Sequence, residues 1–355
     1  MPHANVATLH VDLPALIANY QLLSARHAKG QCAAVVKANA YGLGLKEVSL
    51  ALWNADCRKF FVATLGEAIE LRGYLPNANI AVFQGPLPKE EQDYLAHQLT
   101  PVINHRKQLE HYTERFDHLP AILHVDTGMT RLGLTHSELK MVAADLPATI
   151  AMVMSHLACG PTEQHSKNQE QLRRFQDALA LLPGIKASLA NSAGLFLSSD
   201  FHFDLGRPGC ALYGINPTES TNPMKHVATL SAPILQVRSL DRDETIGYDA
   251  TSSLPNGSRI AITALGYADG YFRSQSNKGY ATIAGKKVPI IGRVSMDMIA
   301  LDVSHLPESD LHASSRAEFI NAEQPVDALA QACGTIGYEI FTRIGRRVQR
   351  VYRPL

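Results

Sequence analysis

The 355-residue sequence predicts an α/β fold, a (β/α)8 barrel over residues 1–222 followed by a mostly β domain over residues 223–355. Three observations predict it. Eight short apolar runs alternate with longer amphipathic stretches before Asn222, and beyond it candidate strands follow one another through tight turns. The chain is also longer than the ~250–300 residues at which single cores stop growing.

The apolar runs begin near Cys32, Phe60, Asn79, Thr100, Ala121, Ile150, Lys186 and His202. Each is short, rich in Val, Ile, Leu or Phe, and bounded by Gly, Pro or Asn, as buried strands are. Helix-like segments lie between them; in Thr162–Leu182, for example, Leu172, Phe175, Leu179 and Leu182 recur at helical spacing. Eight strand–helix units in about 200 residues is the arithmetic of a TIM-like barrel. An open doubly wound sheet also alternates, but no glycine-rich G-x-G-x-x-G turn supports one.

Pro217–Pro223, rich in Thr, Ser, Asn and Pro, reads as the linker. Beyond it the expected strands are Leu230–Leu240, Arg259–Ala264, Tyr280–Ala284, Val288–Ile291 and Met298–Val303, with Ala284-Gly285-Lys286-Lys287 as a hairpin turn. One late helix is expected around Val326–Cys333, and the first few residues are free to pack with the β domain.

Lys plus Arg balances Asp plus Glu at 33 each, which excludes an electrostatic footprint for nucleic acid or an anionic membrane. No apolar run approaches the ~20 residues that span a bilayer. Residues Met1 to His10 lack the basic start and apolar stretch of a signal peptide. The five cysteines are scattered without C-x-x-C spacing, which argues against a disulfide framework or a zinc site; no metal is expected. A soluble cytoplasmic protein fits best.

Barrel active sites collect at the C-terminal ends of the strands. Lys37 closes the first strand, His156 the sixth, Ser192 the seventh and Arg207 the eighth, while Arg131 follows the fifth. A lysine closing a buried strand either reaches solvent or is an amine of depressed pKa able to form an imine with a carbonyl. The loops after strands seven and eight, Asn191-Ser192-Ala193-Gly194 and Gly206-Arg207-Pro208-Gly209-Cys210, offer a hydroxyl and glycine-permitted amides for a phosphate. Lysine plus a phosphate nest points to pyridoxal phosphate or to a sugar-phosphate aldolase, and spacing does not choose between them.

The run Val35-Val36-Lys37-Ala38-Asn39-Ala40-Tyr41-Gly42-Leu43-Gly44 resembles the pyridoxal-phosphate attachment signature of alanine racemases, which usually have His where Leu43 stands. Asp126–Gly133, Ser155-His156-Leu157-Ala158, Asn191-Ser192, Arg207-Pro208-Gly209, Tyr213-Gly214, Gly247-Tyr248, Gly266–Arg273, Gly292–Asp297 and Arg350-Val351-Tyr352 agree in order and spacing, so the resemblance covers nearly the whole chain. It implies that Lys37 carries pyridoxal phosphate as a Schiff base and acts as one acid/base in interconverting L- and D-alanine. Tyr248, from the second subunit of a homodimer with shared active sites, would be the other. Inverting a stereocentre with one group removing the α-proton and another delivering one requires such a pair.

The resemblance further implies that Arg207, helped by His156, faces the pyridine nitrogen and disfavours its protonation, since a guanidinium only donates. An ion pair of Arg207 with Asp204 is the structural alternative. Tyr41, Ser192, the amides of Gly209 and Cys210, and Tyr352 would hold the phosphate. Arg131 would contact the cofactor and the substrate carboxylate, and Met296 would line the partner's side of the pocket. Arg273, Arg293 and Asp297 resemble residues along the substrate's access path. The sequence departs from the family at His124, where many members have a lysine that fixes the arginine equivalent to Arg131. An anion or a His124 hydrogen bond would take over that task. Phe272 stands where proline is common. The competing readings are a broad-specificity amino-acid racemase, a decarboxylase of the same architecture (which Arg207 argues against), and a non-catalytic pyridoxal-phosphate carrier, which would lack the β domain and Tyr248. A link to D-alanine supply for peptidoglycan follows from the resemblance alone.

Overall fold

A computed structural model describes residues 6–27, 30–311 and 316–354. It forms two compact units: Ala15–Lys225, and the N-terminal residues up to Pro14 together with the chain from His226 onward.

In the first unit, parallel strands Ala34–Val35, Lys59–Val62, Asn79–Val82, Thr100–Ile103, Ala121–His124, Ile150–Met154 and Lys186–Ser188 pair in sequence order. The first strand is broken at Ala33. Its front half, Gln31–Cys32, pairs with the eighth strand, Leu205–Gly206, and its back half pairs with the second. Amides of Gln31, Ala33 and Val35 donate to the carbonyls of Asp204, Gly206 and Pro208, while Arg207 N donates to Ala190 O. These bonds join strand eight to strands seven and one, so the sheet closes into the predicted barrel. Closure leaves no strand edge unpaired.

Inside it, Ala33, Val35, Phe61, Ala81, Val102, Ile122, Met152, Met154 and Leu205 pack as one cluster. They come from alternate positions of successive strands, as the two-residue period of a strand requires. Helices such as Leu45–Asn54, Leu65–Tyr74, Arg106–Arg115 and Ser166–Ala180 return the chain between strands. The seventh return departs from the expected strand–helix unit. Two short 3-10 turns, Ala193–Phe196 and Ser199–Phe201, replace a helix there and let Ser192 approach the eighth strand's loop.

The second unit is β-rich, as predicted. Strand Ala228–Ser239 pairs through its first half with Arg316–Ile320 and through its second half with Arg259–Thr263. Ile299–Asp302, Lys286–Ile291 and Tyr280–Ile283 complete the circuit back to Arg316–Ile320. The hairpin turn is tighter than expected: Ile283 pairs directly with Lys286, so only Ala284 and Gly285 turn, with φ of 49° and 74°. Two positive φ values make the type I′ geometry whose twist matches the flanking strands. Thr8–Asp12 lies between Ala228–Ser239 and Gln349–Arg353. The Arg316 guanidinium ties it in, donating to Val6 O, Thr8 Oγ1 and Ser231 O at 3.0 Å each. Helix Val326–Cys333 forms as predicted, but a second, Gly337–Arg343, follows it where one late helix was expected. Gly334, at φ 72°, ends the first and permits the restart. No helix among the described residues is long and apolar enough to cross a membrane.

Phe61 is buried in the barrel core and stacks on Phe83 with ring centroids 5.1 Å apart. Phe61→Ala should therefore cost about 3–5 kcal/mol in urea unfolding monitored by far-ultraviolet circular dichroism.

Candidate active site

Lys37 sits two residues beyond the first strand's Val35 and opens a turn, Lys37–Tyr41, that the sequence does not announce. Ala38, Asn39, Ala40 and Tyr41 have φ of 53°, 54°, 52° and 55°, one turn of left-handed helix built from non-glycine residues. Each such residue costs roughly 1–2 kcal/mol, so the surroundings must hold it. Glu67 does so: its Oε1 accepts from Ala38 N at 2.6 Å and its Oε2 from Ala63 N at 2.8 Å. Asn39 Oδ1 accepts from Leu45 N at 2.7 Å on the far side. The turn presents a half-buried amine, whose Nζ lies 5.8 Å from the Phe83 ring centroid. Burial first, and then the Arg131 charge, push its pKa below the usual lysine value, against a smaller opposing pull from Glu67.

The loops after strands seven and eight meet at Ser192. Its Oγ accepts from Gly209 N at 2.8 Å and Ala211 N at 3.3 Å, which leaves the hydroxyl proton free to be donated. Gly209 is required by a close approach, since a Cβ there would lie 2.3 Å from the Tyr41 hydroxyl oxygen. Tyr41 stacks on Tyr213 at 4.7 Å, and the buried Tyr213 hydroxyl donates to Val35 O at 2.9 Å. Cys210 is half-buried and begins the turn Cys210–Tyr213.

Arg207 is buried, with 2% of its surface exposed. Burial lowers its pKa to about 10, so it remains charged at neutral pH. It donates to Ser188 Oγ and to Ser155 O, and its Nε has no partner among the described residues. Asp204 instead accepts from Ala187 N at 2.8 Å, and no ion pair with Arg207 forms among the described residues, which removes the structural alternative for that residue. His156 is half-buried; desolvation, then Arg207 and Arg131, lower its pKa to about 3. His124, at the end of strand five, is lowered to about 4 by desolvation and then by Arg207 and Arg131. Its Nδ1 lies 2.8 Å from Asn104 Oδ1. Asn104 Nδ2 donates to Phe83 O and Val102 O, so Oδ1 must be the acceptor and His124 Nδ1 carries the proton. The Nε2 lone pair is then available. Arg131 itself is exposed. Its loop wraps Asp126, whose Oδ1 accepts from the amides of Gly128, Met129 and Thr130.

The remaining predicted residues lie in the β-rich unit. Tyr248 is 70% exposed and Met296 52% exposed. Arg293 Nε lies 3.4 Å from Asp249 Oδ2, and Asp297 Oδ1 takes Arg347 Nη1 at 2.7 Å. Arg273 is exposed beside Phe272, whose ring carries the Arg343 guanidinium at 4.8 Å, a cation–π contact that proline could not make. Tyr352 lies in strand Gln349–Arg353, opposite Val11.

The barrel mouth thus combines the amine of Lys37, of lowered pKa, with two guanidinium cations, Arg131 and Arg207. Nearby, Glu67 and Asp126 turn their oxygens to backbone amides. An unpartnered guanidinium nitrogen and a hydroxyl-and-amide cradle fit an anionic phosphorylated aldehyde.

Comparison with known proteins agrees. The profile for the alanine racemase N-terminal domain matches residues 11–217 and that for the C-terminal domain matches residues 227–352. The chain belongs to the alanine racemase family. It is 44% identical to the alanine racemase of Rhodospirillum rubrum, over 99% of this chain and 98% of that protein. It is 43% identical to that of Rhizobium meliloti, over 97% and 96%. Among solved structures it is similar to alanine racemase from Bartonella henselae with covalently bound pyridoxal phosphate, at TM-score 0.92, 39% identity, and 98% and 99% coverage. The biosynthetic alanine racemase of Pseudomonas aeruginosa matches at TM-score 0.90 and 34% identity, over 99% of this chain and 100% of that one.

Sequence reasoning missed Glu67, Asn104 and Ser188, and it placed Ser155 in a motif without its contact to Arg207. Only Glu67 left a signal, the capping-box pair Thr64-x-x-Glu67, which forms as such.

The two histidines carry a pH consequence. Each is neutral in the folded chain down to about 4 or about 3, whereas unfolded histidine takes up its proton near 6.5. Between those values the unfolded chain binds more protons, so stability present above pH 6.5 is lost as the pH falls. His124→Gln should show a smaller drop in melting temperature between about pH 7 and about pH 5 than the parent protein.

Proposed function

We propose that this protein interconverts L-alanine and D-alanine with pyridoxal 5'-phosphate held on Lys37, in a homodimer whose active sites are shared. The observation that carries this reading is the barrel mouth: a half-buried amine of lowered pKa beside a phosphate cradle and among cations. When bound, the cofactor supplies an electron sink that acidifies the proton on the substrate's α-carbon.

Lys37 Nζ, whose proton burial and then Arg131 make easier to lose, takes or delivers that proton on one face. Tyr248 Oη of the partner subunit serves the other face; its exposure in the isolated chain supports a place at a subunit boundary. A tyrosine serves as a base near neutral pH only with a cation nearby, a part that Arg207 together with His156 would play. Ser192, Tyr41, Gly209, Cys210 and Tyr352 would hold the phosphate. Arg207, a donor only, would disfavour protonation of the cofactor's ring nitrogen, which would favour return of the proton to the α-carbon. Arg131 orients the substrate carboxylate, and His124 steadies Arg131 by offering Nε2 as an acceptor. Met296 closes the pocket from the partner's side, and Arg273, Arg293 and Asp297 line the path to it. A cytoplasmic supply of D-alanine for peptidoglycan fits this reading. Because His124 replaces a lysine common in the family, a broader amino-acid range is the second reading. Parallel turnover of alanine, serine, lysine and arginine decides between the two.

The purified protein should turn yellow with pyridoxal phosphate and erase the circular dichroism of L-alanine; a colourless protein overturns the proposal. Lys37→Ala should abolish both signals. Tyr248→Phe should keep the colour but lose roughly 10²–10⁴-fold in racemisation. Mixing these two variants under subunit exchange should restore activity that neither has alone, because one of the two sites in the mixed dimer then holds both native residues. No recovery despite exchange would refute shared sites.

A further inference from the structure

Gln171 lies in helix Ser166–Ala180 with no exposed surface, yet it is not among the residues that the resemblance marks. All of its side-chain hydrogen-bonding groups are engaged. Oε1 accepts from Ala158 N at 2.8 Å, and Nε2 donates to His156 O at 2.9 Å and to Thr127 Oγ1 at 3.2 Å. The amide on Ala158 can only donate, so the carboxamide orientation is fixed without ambiguity.

These contacts lead directly to the cation cluster. Thr127 Oγ1 lies 2.7 Å from Ser155 Oγ, and Ser155 O is one of the two acceptors that hold Arg207. The other, Ser188 Oγ, donates onward to Leu205 O at 2.5 Å. One carboxamide therefore ties the loop of Asp126–Arg131 to the loop of Ser155–Ala158, the two that carry Arg131 and His156. The same helix reinforces the tie: Arg174 Nη1 donates to Thr127 O at 3.4 Å, with Glu170 Oε1 holding Arg174 at 2.5 Å.

We propose that Gln171 is a positioning residue of the racemase site, fixing His156 and, through Thr127 and Ser155, the guanidinium of Arg207. Neither a barrel helix nor its packing needs a glutamine there. Phe175 and Ala178 bury on the same face, where an apolar side chain of equal length would fit. The amide is needed because the Ala158 amide and the His156 carbonyl would otherwise lose this partner, and Thr127 would keep only Ser155 Oγ.

The inference rests on the racemase reading, which the parent enzyme tests first by racemising alanine. Gln171→Met keeps the volume and removes the hydrogen bonds, while Gln171→Glu keeps the shape and exchanges the donor for a carboxylate. Both are studied as cofactor-loaded enzyme, with kcat, KM and the cofactor absorbance followed against pH. The expected result is a yellow Gln171→Met protein with kcat lowered roughly 10- to 100-fold, since small misplacements of catalytic groups carry such penalties. The pH dependence of its absorbance should also shift from that of the parent. Gln171→Glu should be similarly impaired at neutral pH and recover relative to the parent as the pH falls, because the protonated acid regains a donor. Variants that lose only melting temperature, with parental kcat, KM and pH profiles, would overturn the proposal. A Gln171→Met protein too unstable to assay leaves the decision to the pH-dependent recovery of Gln171→Glu, whose absence then refutes it.

Discussion

Arg207 is buried with its charge intact, and its charge and that of Arg131 are both felt at His124 and His156, so burial and like charge together constrain the titratable groups around them. Assembling cations in a place with little water is unfavourable unless other groups give way. Here the titratable neighbours do so. His124 and His156 stay neutral far below their ordinary value, and Lys37 holds its proton less tightly. An anionic cofactor would relieve the same repulsion, so the Arg131 charge that adds to burial in lowering the lysine's pKa would also attract the group proposed to bind there.

Such a field acts usefully only if its sources stay in place. The barrel provides this by closing strand eight against strands seven and one, which fixes the backbone of Arg207 from both sides. Ser155, Ser188, Asn104 and Gln171 then fix side chains and tautomers from below. Negative charge is used with restraint: Glu67 and Asp126 direct their oxygens to backbone amides, organising loops without ion-pairing Lys37, Arg131 or Arg207 among the described residues. The exposed aromatic and thioether groups of the β-rich unit, Tyr248 and Met296, contrast with this buried polar frame.

The barrel strands were legible because each is a short apolar run, and the late strands because tight turns separate them. Thr8–Asp12 was not, since its partners lie at Ala228–Ser239 and Gln349–Arg353, and pairing between distant segments leaves no local trace. The helix Gly337–Arg343 was lost because it is short and follows directly on another. At the site, Lys37, Arg207 and the family motifs could be read, since a charged residue at a strand end conflicts with its surroundings. Asn104 and Ser188 could not, nor could the hold of Ser155 on Arg207, because a polar residue on a strand or in a loop looks alike whether it faces water or a guanidinium. Gln171 left a faint mark: it stands one turn before Phe175 on the buried face of its helix, where an apolar residue is the usual choice.

The left-handed turn after Lys37 makes the amine's position depend on elements elsewhere in the barrel. A chain of L-residues does not hold four such conformations unaided, and the groups that stabilise this turn come from the helix opening at Leu65 and from the loop leading to Leu45. The position of Lys37 thus depends on those elements being folded, and a chain in which they are not does not hold the amine as the native barrel does.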